Sequence, residues 1–208
     1  MACMVWFVVC GGGEVKAISC LSYVMMGGVN LIYALKAEAG KKYAAVMFAG
    51  FVFAWLGDVL LGVNFVLGAG LFALGHVLYA AAFYMLYPFR KQDLLVSGAF
   101  LAGALALLLC YPKFDFGGAL MQGVCMAYAL IISCMTGKAV SNSLKKKDGQ
   151  TIIAAAGSAL FFFSDVMLVL RYFVGAPWIA DRLCLLTYFP GQMLLAASVY
   201  YYVKQKER

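Results

Sequence analysis

Seven stretches of about twenty apolar residues divide the chain, and their length limits what it can fold into. A helix of that length rises by about 30 Å, the thickness of the hydrocarbon core of a bilayer. Charged residues, glycine or proline separate the stretches, so each is predicted to be a membrane-spanning helix. The stretches cover residues 15–35, 43–62, 65–87, 93–111, 116–137, 150–173 and 182–203.

The composition argues against a soluble protein. Of the 208 residues, 65% are hydrophobic and 12% are charged, whereas a soluble domain has about 25% charged residues. A soluble fold of this size could not bury so much apolar surface, so lipid must solvate part of it. A soluble enzyme, a nucleic-acid-binding protein and a disordered chain are therefore excluded. We expect residues 1–208 to form one all-α, polytopic membrane domain, with the lipid bilayer as its partner.

An eighth apolar stretch, residues 1–13, is shorter than the others. We interpret it as a short first helix. This gives a bundle of eight transmembrane helices, with seven as the alternative.

A short internal repeat favours eight helices over seven. Gly50 precedes Asp58 by eight positions, as Gly157 precedes Asp165, and valine follows both aspartates. The next helix of each copy then carries a related pair, Gly75-His76 in the first and Gly191-Gln192 in the second. The pattern predicts a four-plus-four parallel repeat with halves of about residues 1–90 and 91–208. Chance similarity between apolar helices is the alternative.

Basic residues indicate the orientation, because cytoplasmic loops of membrane proteins are rich in lysine and arginine. If every stretch spans the membrane, four of the connecting and terminal segments fall on the same side. They hold 12 of the 16 basic residues, and the other four are Lys16, Lys113, Arg171 and Arg182. These segments are residues 36–42, 88–93, 138–149 and 204–208. The bias predicts a cytoplasmic C-terminus, and we expect the protein to be integral to a bacterial plasma membrane.

Metal and cofactor sites are not expected from the sequence. A single histidine argues against a zinc hydrolase, which needs three or more protein ligands. The seven cysteines show no CxxC pair, and most lie in apolar runs, so we interpret them as free, largely buried thiols. The sequence leaves the oligomeric state open.

Two aspartates lie inside the apolar stretches, where a carboxylate costs roughly 2.5–3.5 kcal/mol on insertion scales. Asp58 and Asp165 are each about 22 Å along their helix from the cytoplasmic end. We therefore expect them at matched depth in the outer half of the bilayer, facing each other if the repeat has a pseudo-twofold axis. His76, the one histidine, is predicted to lie nearer the midplane.

Other polar residues fall on the same helices as these three. Tyr79 lies three residues after His76, Ser158 two turns before Asp165, and Tyr188 and Gln192 share one helix face. The candidate catalytic residues are Asp58, Asp165 and His76, and the candidate substrate-binding residues are Tyr79, Ser158, Arg171, Tyr188 and Gln192. The alternative for the uncharged residues is that they only hydrogen-bond neighbouring helices, at about 0.6–2 kcal/mol each. Arg171 could extend to the interface or bind a lipid phosphate.

Four motifs resemble the YhhN-like, lysoplasmalogenase family of integral membrane proteins. They are Leu56-Gly57-Asp58, Gly75-His76-Val77-Leu78-Tyr79, Ser164-Asp165, and Thr187-Tyr188 through Gln192. Their order and spacing match over about residues 43–203, and the segment from Leu56 to His76 is the most specific part.

The resemblance implies an eight-helix ether hydrolase acting on a lysophospholipid. Such an enzyme would cleave the sn-1 vinyl ether of lysoplasmalogens to a fatty aldehyde and a glycerophospho-alcohol, without a metal or organic cofactor. A vinyl ether hydrolyses by protonation of its β-carbon, so a carboxylic acid and a second carboxylate suit the reaction. The alternative is a non-catalytic lipid or small-solute transporter or binding protein, because transporters also place acidic residues near the midplane.

The short turn Gly62-Val63-Asn64 makes the helices of Asp58 and His76 antiparallel neighbours. We therefore expect His76 to pair with Asp58, if it pairs with a carboxylate at all. Asp165 would then be the proton donor, oriented by Tyr188 and Gln192. The alternative is that His76 only hydrogen-bonds to a backbone group or a tyrosine hydroxyl.

Overall fold

The computed structural model describes residues 13–175 and 178–207, which form seven α-helices and no strand. The all-helical prediction is confirmed for these residues, and every predicted stretch corresponds to one helix. The short helix predicted at residues 1–13 lies outside the described residues, apart from Gly13. The helices are α1 (Gly13–Lys36), α2 (Lys41–Leu61), α3 (Phe65–Leu86), α4 (Lys91–Cys110), α5 (Ala119–Lys146), α6 (Gly149–Val174) and α7 (Trp178–Glu207).

Six of the seven described helices, α2 to α7, are long and apolar enough to cross a bilayer. The chain is an integral membrane protein, as its composition predicts. Helix α1 has 24 residues but is not among the six. Its crossing of the membrane, and the total of eight spans, therefore stay predictions.

Capping side chains and a glycine mark several of the helix ends. The Asn64 side chain caps α3 by accepting a hydrogen bond from the backbone N–H of Leu67 at 3.1 Å. The Asp148 side chain caps α6 in the same way, accepting from the N–H of Thr151 at 2.8 Å. Such caps satisfy N–H groups that have no partner within the helix. Helix α6 ends at Val174 and is followed by Gly175, whose φ of 61° is in the left-handed region that glycine tolerates.

Helix α5 is longer than predicted, because it continues through Lys146 instead of ending at residue 137. The prediction of a loop over residues 138–149 is therefore wrong for most of that segment. Lys138 is fully buried, and its Nζ donates to Asp93 Oδ2 at 2.7 Å and to the Pro88 carbonyl at 3.0 Å. A hydropathy pattern treats lysine as a solvated residue, so it cannot detect one neutralised inside a bundle.

Glycines allow two helix pairs to approach closely, α2 with α3 and α6 with α7. A Cβ atom on Gly75 would lie 3.2 Å from the Gly50 carbonyl oxygen. A Cβ atom on Gly157 would lie 2.9 Å from the Gly191 carbonyl oxygen. Small residues at such crossings are typical of membrane helices. Corresponding glycines of the predicted repeat thus make similar contacts, while the four-plus-four relation of the halves stays a prediction.

The ends of the helices meet at two opposite faces of the bundle. Tyr33 near the end of α1 donates a hydrogen bond to Glu207 at the end of α7. At the same face, the Gln150 side chain donates to the Tyr43 hydroxyl at 3.3 Å, and Arg90 donates to Asn142 at 2.8 Å. This face, which we call the basic face, gathers the turns 37–40, 87–90 and 147–148 and the end of α7. At the other face, the Asp115 N–H donates to the Phe173 carbonyl at 2.9 Å.

We predict that the basic face is cytoplasmic, because lysine and arginine concentrate there. A reporter fused after residue 208 should be active only in the cytoplasm. A second reporter inserted in the loop near Asp115 should be active only on the opposite side and serves as the control. The reverse pattern in the two fusions would contradict this orientation.

Candidate active site

Asp58 lies near the end of α2, where three hydrogen-bond donors from the described part of the chain contact it. Its Oδ2 accepts from the Tyr188 hydroxyl at 2.5 Å, from the Tyr23 hydroxyl at 3.1 Å and from the Cys20 thiol at 3.1 Å. The two tyrosine hydroxyls lie 3.0 Å apart. The four residues come from α1, α2 and α7 and are all buried. We call them the Asp58 cluster.

Asp165 lies in α6 beside the only histidine of the chain. Its Oδ2 lies 2.6 Å from the Tyr128 hydroxyl and 3.3 Å from His76 Nε2. The same Nε2 is 2.8 Å from the Tyr128 hydroxyl, and His76 Nδ1 is 3.3 Å from Met135 Sδ. Helices α3, α5 and α6 thus bring an acid, an imidazole and a phenol into direct contact. We call these three residues and Met135 the Asp165 cluster.

The expectation that His76 pairs with Asp58 is wrong, since its carboxylate partner is Asp165. The Asp58 carboxylate faces α1 and α7, which supply its hydrogen-bond donors. The His76 ring instead faces α5 and α6, which supply Tyr128, Met135 and Asp165. A short turn makes two helices neighbours without turning every side chain of one helix towards the other.

The predicted partners of Asp165 also belong elsewhere. Tyr188 bonds Asp58, and the Gln192 side-chain oxygen accepts from the Tyr79 hydroxyl at 3.0 Å. Ser158, Tyr79 and Gln192 are all fully buried. Within the described residues, Ser158 Oγ and Gln192 Nε2 have no hydrogen-bond partner.

The aromatic ring of Phe161 connects the two carboxylate clusters. Its centroid lies 4.7 Å from that of His76 and 5.1 Å from that of Tyr188. Each carboxylate therefore has its own hydrogen-bond set within one continuous aromatic core. A direct face-to-face arrangement of the two carboxyl groups stays a prediction.

Arg171 lies apart from both clusters, in the last turn of α6. Its guanidinium pairs with Asp181 at the start of α7, and its side chain is 50% exposed. The guanidinium also lies 5.8 Å from the Tyr172 ring. Any contact with a lipid headgroup would have to share this guanidinium with Asp181.

Two apolar clefts lead to Asp165 from different sides of α5. One lies between α2, α3, α5 and α6, and the other between α4, α5 and α6. Both linings include the carboxyl group of Asp165, together with Tyr128, Cys125 and Val169. The first is further lined by Leu61, Phe65, Ala69, Phe72, Val124 and Leu168, and the second by Ala104, Leu107, Leu108, Ala129, Ile132, Phe162 and Val166. An apolar chain in either cleft would lie directly against the carboxyl group.

Sequence reasoning missed four residues of the two clusters, namely Cys20, Tyr23, Tyr128 and Met135. Each sits in an apolar helix with no distinguishing motif. Tyrosine and methionine are common at membrane helix contacts, and only the packing of α1 and α5 reveals which of them reach a carboxylate or the imidazole.

The sequence of this chain is similar to known proteins over most of its length. The chain matches the YhhN family over residues 18–199. It is 32% identical over 188 residues to lysoplasmalogenase TMEM86A of Homo sapiens, covering 87% of this chain and 76% of that protein. The lysoplasmalogenase TMEM86A of Bos taurus is 31% identical over 195 residues, with the same coverage. No solved structure matches the chain. Because the family match runs over most of the sequence and includes every residue of the Asp58 and Asp165 clusters, the chain belongs to the YhhN family.

Proposed function

We propose that the chain is a lysoplasmalogenase-type ether hydrolase. It cleaves the sn-1 vinyl ether of lysoplasmalogens to a fatty aldehyde and a glycerophospho-alcohol, using carboxyl acid/base chemistry inside the membrane. The observation that carries the proposal is the buried Asp165 carboxyl group, which contacts a histidine and a tyrosine and lines two apolar clefts. The names of the human and bovine relatives support the substrate class.

The reaction needs an acid first and a base afterwards. A proton first adds to the β-carbon of the vinyl ether, which is the alkenyl carbon not bonded to oxygen. The neighbouring carbon and the ether oxygen then form an oxocarbenium ion. Water adds to that neighbour and loses a proton, and the hemiacetal then separates into aldehyde and alcohol. A pair of carboxyl groups with different protonation can perform both proton transfers.

Asp58 suits the role of the ionised carboxylate. A carboxylate only accepts hydrogen bonds, and two hydroxyls and a thiol converge on its Oδ2. In the proposed reaction this negative charge stabilises the oxocarbenium ion or takes the proton from the attacking water.

The two apolar clefts hold only about 30 and 40 Å³ of free space, so a single-chain lipid would lie along one of them as along an open groove. The alkenyl chain would lie in a cleft, with its vinyl ether beside Asp165. The glycerol and phosphate would point towards the outer end of α6, where Arg171 is half exposed. A guanidinium has five donors, so it can bind a phosphate while it keeps one bond to Asp181. Tyr79, Ser158 and Gln192 remain proposed substrate-binding residues, with Ser158 Oγ and Gln192 Nε2 as the groups that lack a partner among the described residues.

A hydrolysis assay with matched lipids tests the proposed function. Purified protein in lipid nanodiscs should convert 1-alkenyl lysophosphatidylethanolamine to fatty aldehyde and glycerophosphoethanolamine in equal amounts, measured by mass spectrometry. The 1-alkyl analogue should be stable, because a saturated ether has no double bond to protonate. In water enriched in ¹⁸O, the glycerol product should keep its original oxygen, because water adds to the alkenyl carbon.

Three outcomes would contradict the proposal. Binding of the lysolipid without aldehyde release would favour a transporter or binding protein instead. Preferential cleavage of the 1-acyl lysolipid would indicate an esterase. Incorporation of ¹⁸O into the glycerol product would place the attack at the wrong carbon.

A further inference from the structure

The Nδ1 atom of His76 has a partner that can only accept a hydrogen bond. The imidazole is 1% exposed, and Nδ1 lies 3.3 Å from the thioether sulfur of Met135. A thioether has no hydrogen to donate. Nδ1 therefore carries a hydrogen. Without it, the nitrogen lone pair would point at a lone pair of the Met135 sulfur. The tautomer follows from this partner.

The other ring nitrogen, Nε2, faces two oxygen atoms. It lies 2.8 Å from the Tyr128 hydroxyl and 3.3 Å from Asp165 Oδ2, and these two oxygens are themselves 2.6 Å apart. The hydrogens shared by these three atoms can therefore be counted.

In a neutral ring, Nε2 is an acceptor and needs a hydrogen from one of the oxygens. If Tyr128 donates its one hydrogen to Nε2, the 2.6 Å contact requires Asp165 to donate to Tyr128. If Tyr128 donates to an ionised Asp165, Nε2 faces only lone pairs. A neutral His76 therefore goes with a protonated Asp165, and a cationic His76 goes with an ionised Asp165.

We infer that Asp165, Tyr128 and His76 together hold one transferable proton, which is the proton delivered to the vinyl ether. Both arrangements of this unit have zero net charge, which limits its cost inside a membrane. Asp165 is the catalytic acid because it lines the clefts. Tyr128 and Met135 are positioning residues, the first as a bridge and the second as the group that sets the tautomer. The inference rests on the proposed function and deepens it.

The proton balance closes over one turnover. The Asp165 carboxyl proton forms the new C–H bond with the π electrons of the vinyl ether, leaving the positive charge on the ether carbon and oxygen. Water adds to that carbon and releases one proton, which returns to the unit directly or through Asp58. The hemiacetal hydroxyl proton moves to the departing glycerol oxygen, so one water molecule is consumed and the unit is reloaded.

Nitrogen NMR can test the tautomer directly, because His76 is the single histidine of the chain. Protein labelled with ¹⁵N-histidine and purified with a tag that contains no histidine gives signals from one ring. In nanodiscs without substrate we expect a protonated Nδ1, with Nε2 either unprotonated or protonated as part of a cation. A neutral ring with its hydrogen on Nε2 would overturn the inference.

The variant Met135→Leu keeps the side-chain volume and removes the acceptor. We expect the Nδ1-protonated tautomer to lose population and kcat to fall about tenfold, as for the loss of one orienting hydrogen bond. Met126→Leu, which changes a half-buried methionine elsewhere on α5, is the control and should alter neither. An unchanged spectrum and rate for Met135→Leu would overturn the role of Met135.

Failure of this inference and failure of the proposed function give different results. Aldehyde release together with an Nε2-protonated neutral ring would contradict the proton unit and leave the hydrolase intact. The expected tautomer without aldehyde release would contradict the hydrolase, and with it the delivery of this proton to a vinyl ether.

Discussion

The variants Asp58→Asn and Asp165→Asn are each expected to lower kcat for vinyl ether hydrolysis by about 10²- to 10⁴-fold, the usual contribution of general acid–base catalysis. A carboxamide has nearly the same shape as a carboxyl group. It cannot release a proton at Asp165, and it cannot provide a negative charge at Asp58. Its oxygen still accepts hydrogen bonds, so both clusters should keep their packing.

The measurement is the aldehyde-release assay on purified variants, combined with thermal unfolding in the same detergent. Asp115→Asn is the matched control, because Asp115 is exposed in the α4–α5 loop and accepts a bond from Gly117 N–H that asparagine can also accept. It should retain wild-type kcat. If both cluster variants turned over at the wild-type rate, the carboxyl mechanism would be wrong. A lower unfolding temperature without loss of activity would indicate helix contacts alone.

The variant Lys138→Met is expected to destabilise the protein by about 3–5 kcal/mol, the cost of breaking a buried ion pair from one side. Lys138 is fully buried and Asp93 is 1% exposed, and their charged atoms lie 2.7 Å apart. Removal of the ammonium leaves the Asp93 carboxylate buried with three nearby donors. They are the Ser141 hydroxyl at 2.5 Å, the Arg90 backbone N–H at 2.9 Å and the Arg90 guanidinium at 3.5 Å. These partners reduce the penalty without removing it.

Equilibrium unfolding in mixed micelles measures this loss. The double variant Asp93→Asn/Lys138→Met should recover much of the stability, because neither charge is then left alone in the bundle. Lys145→Met changes an exposed lysine of the same helix and should stay within about 0.5 kcal/mol of wild type. A double variant no more stable than Lys138→Met would contradict the ion-pair explanation.

The hydrophobic stretches determined the fold class without help from the structure. A run of about twenty apolar residues has one stable form in a bilayer, a helix whose backbone groups bond to each other. The described helices therefore begin and end near the predicted positions, with one exception. At α5 the lysine that suggested a loop is paired inside the bundle, and pairing between helices does not appear in the sequence of one helix.

The sequence also singled out Asp58, Asp165 and His76, because an ionisable residue in an apolar helix is costly and has to be compensated. Which of them contact each other was decided by the tertiary structure. Helix packing turned the His76 ring towards Asp165 and not towards Asp58. The tyrosines that bond the carboxylates come from α1, α5 and α7, helices far apart in the chain. The hydropathy of a segment depends on that segment alone. A hydrogen bond between two helices depends on their relative height and rotation, which are determined by how the helices pack.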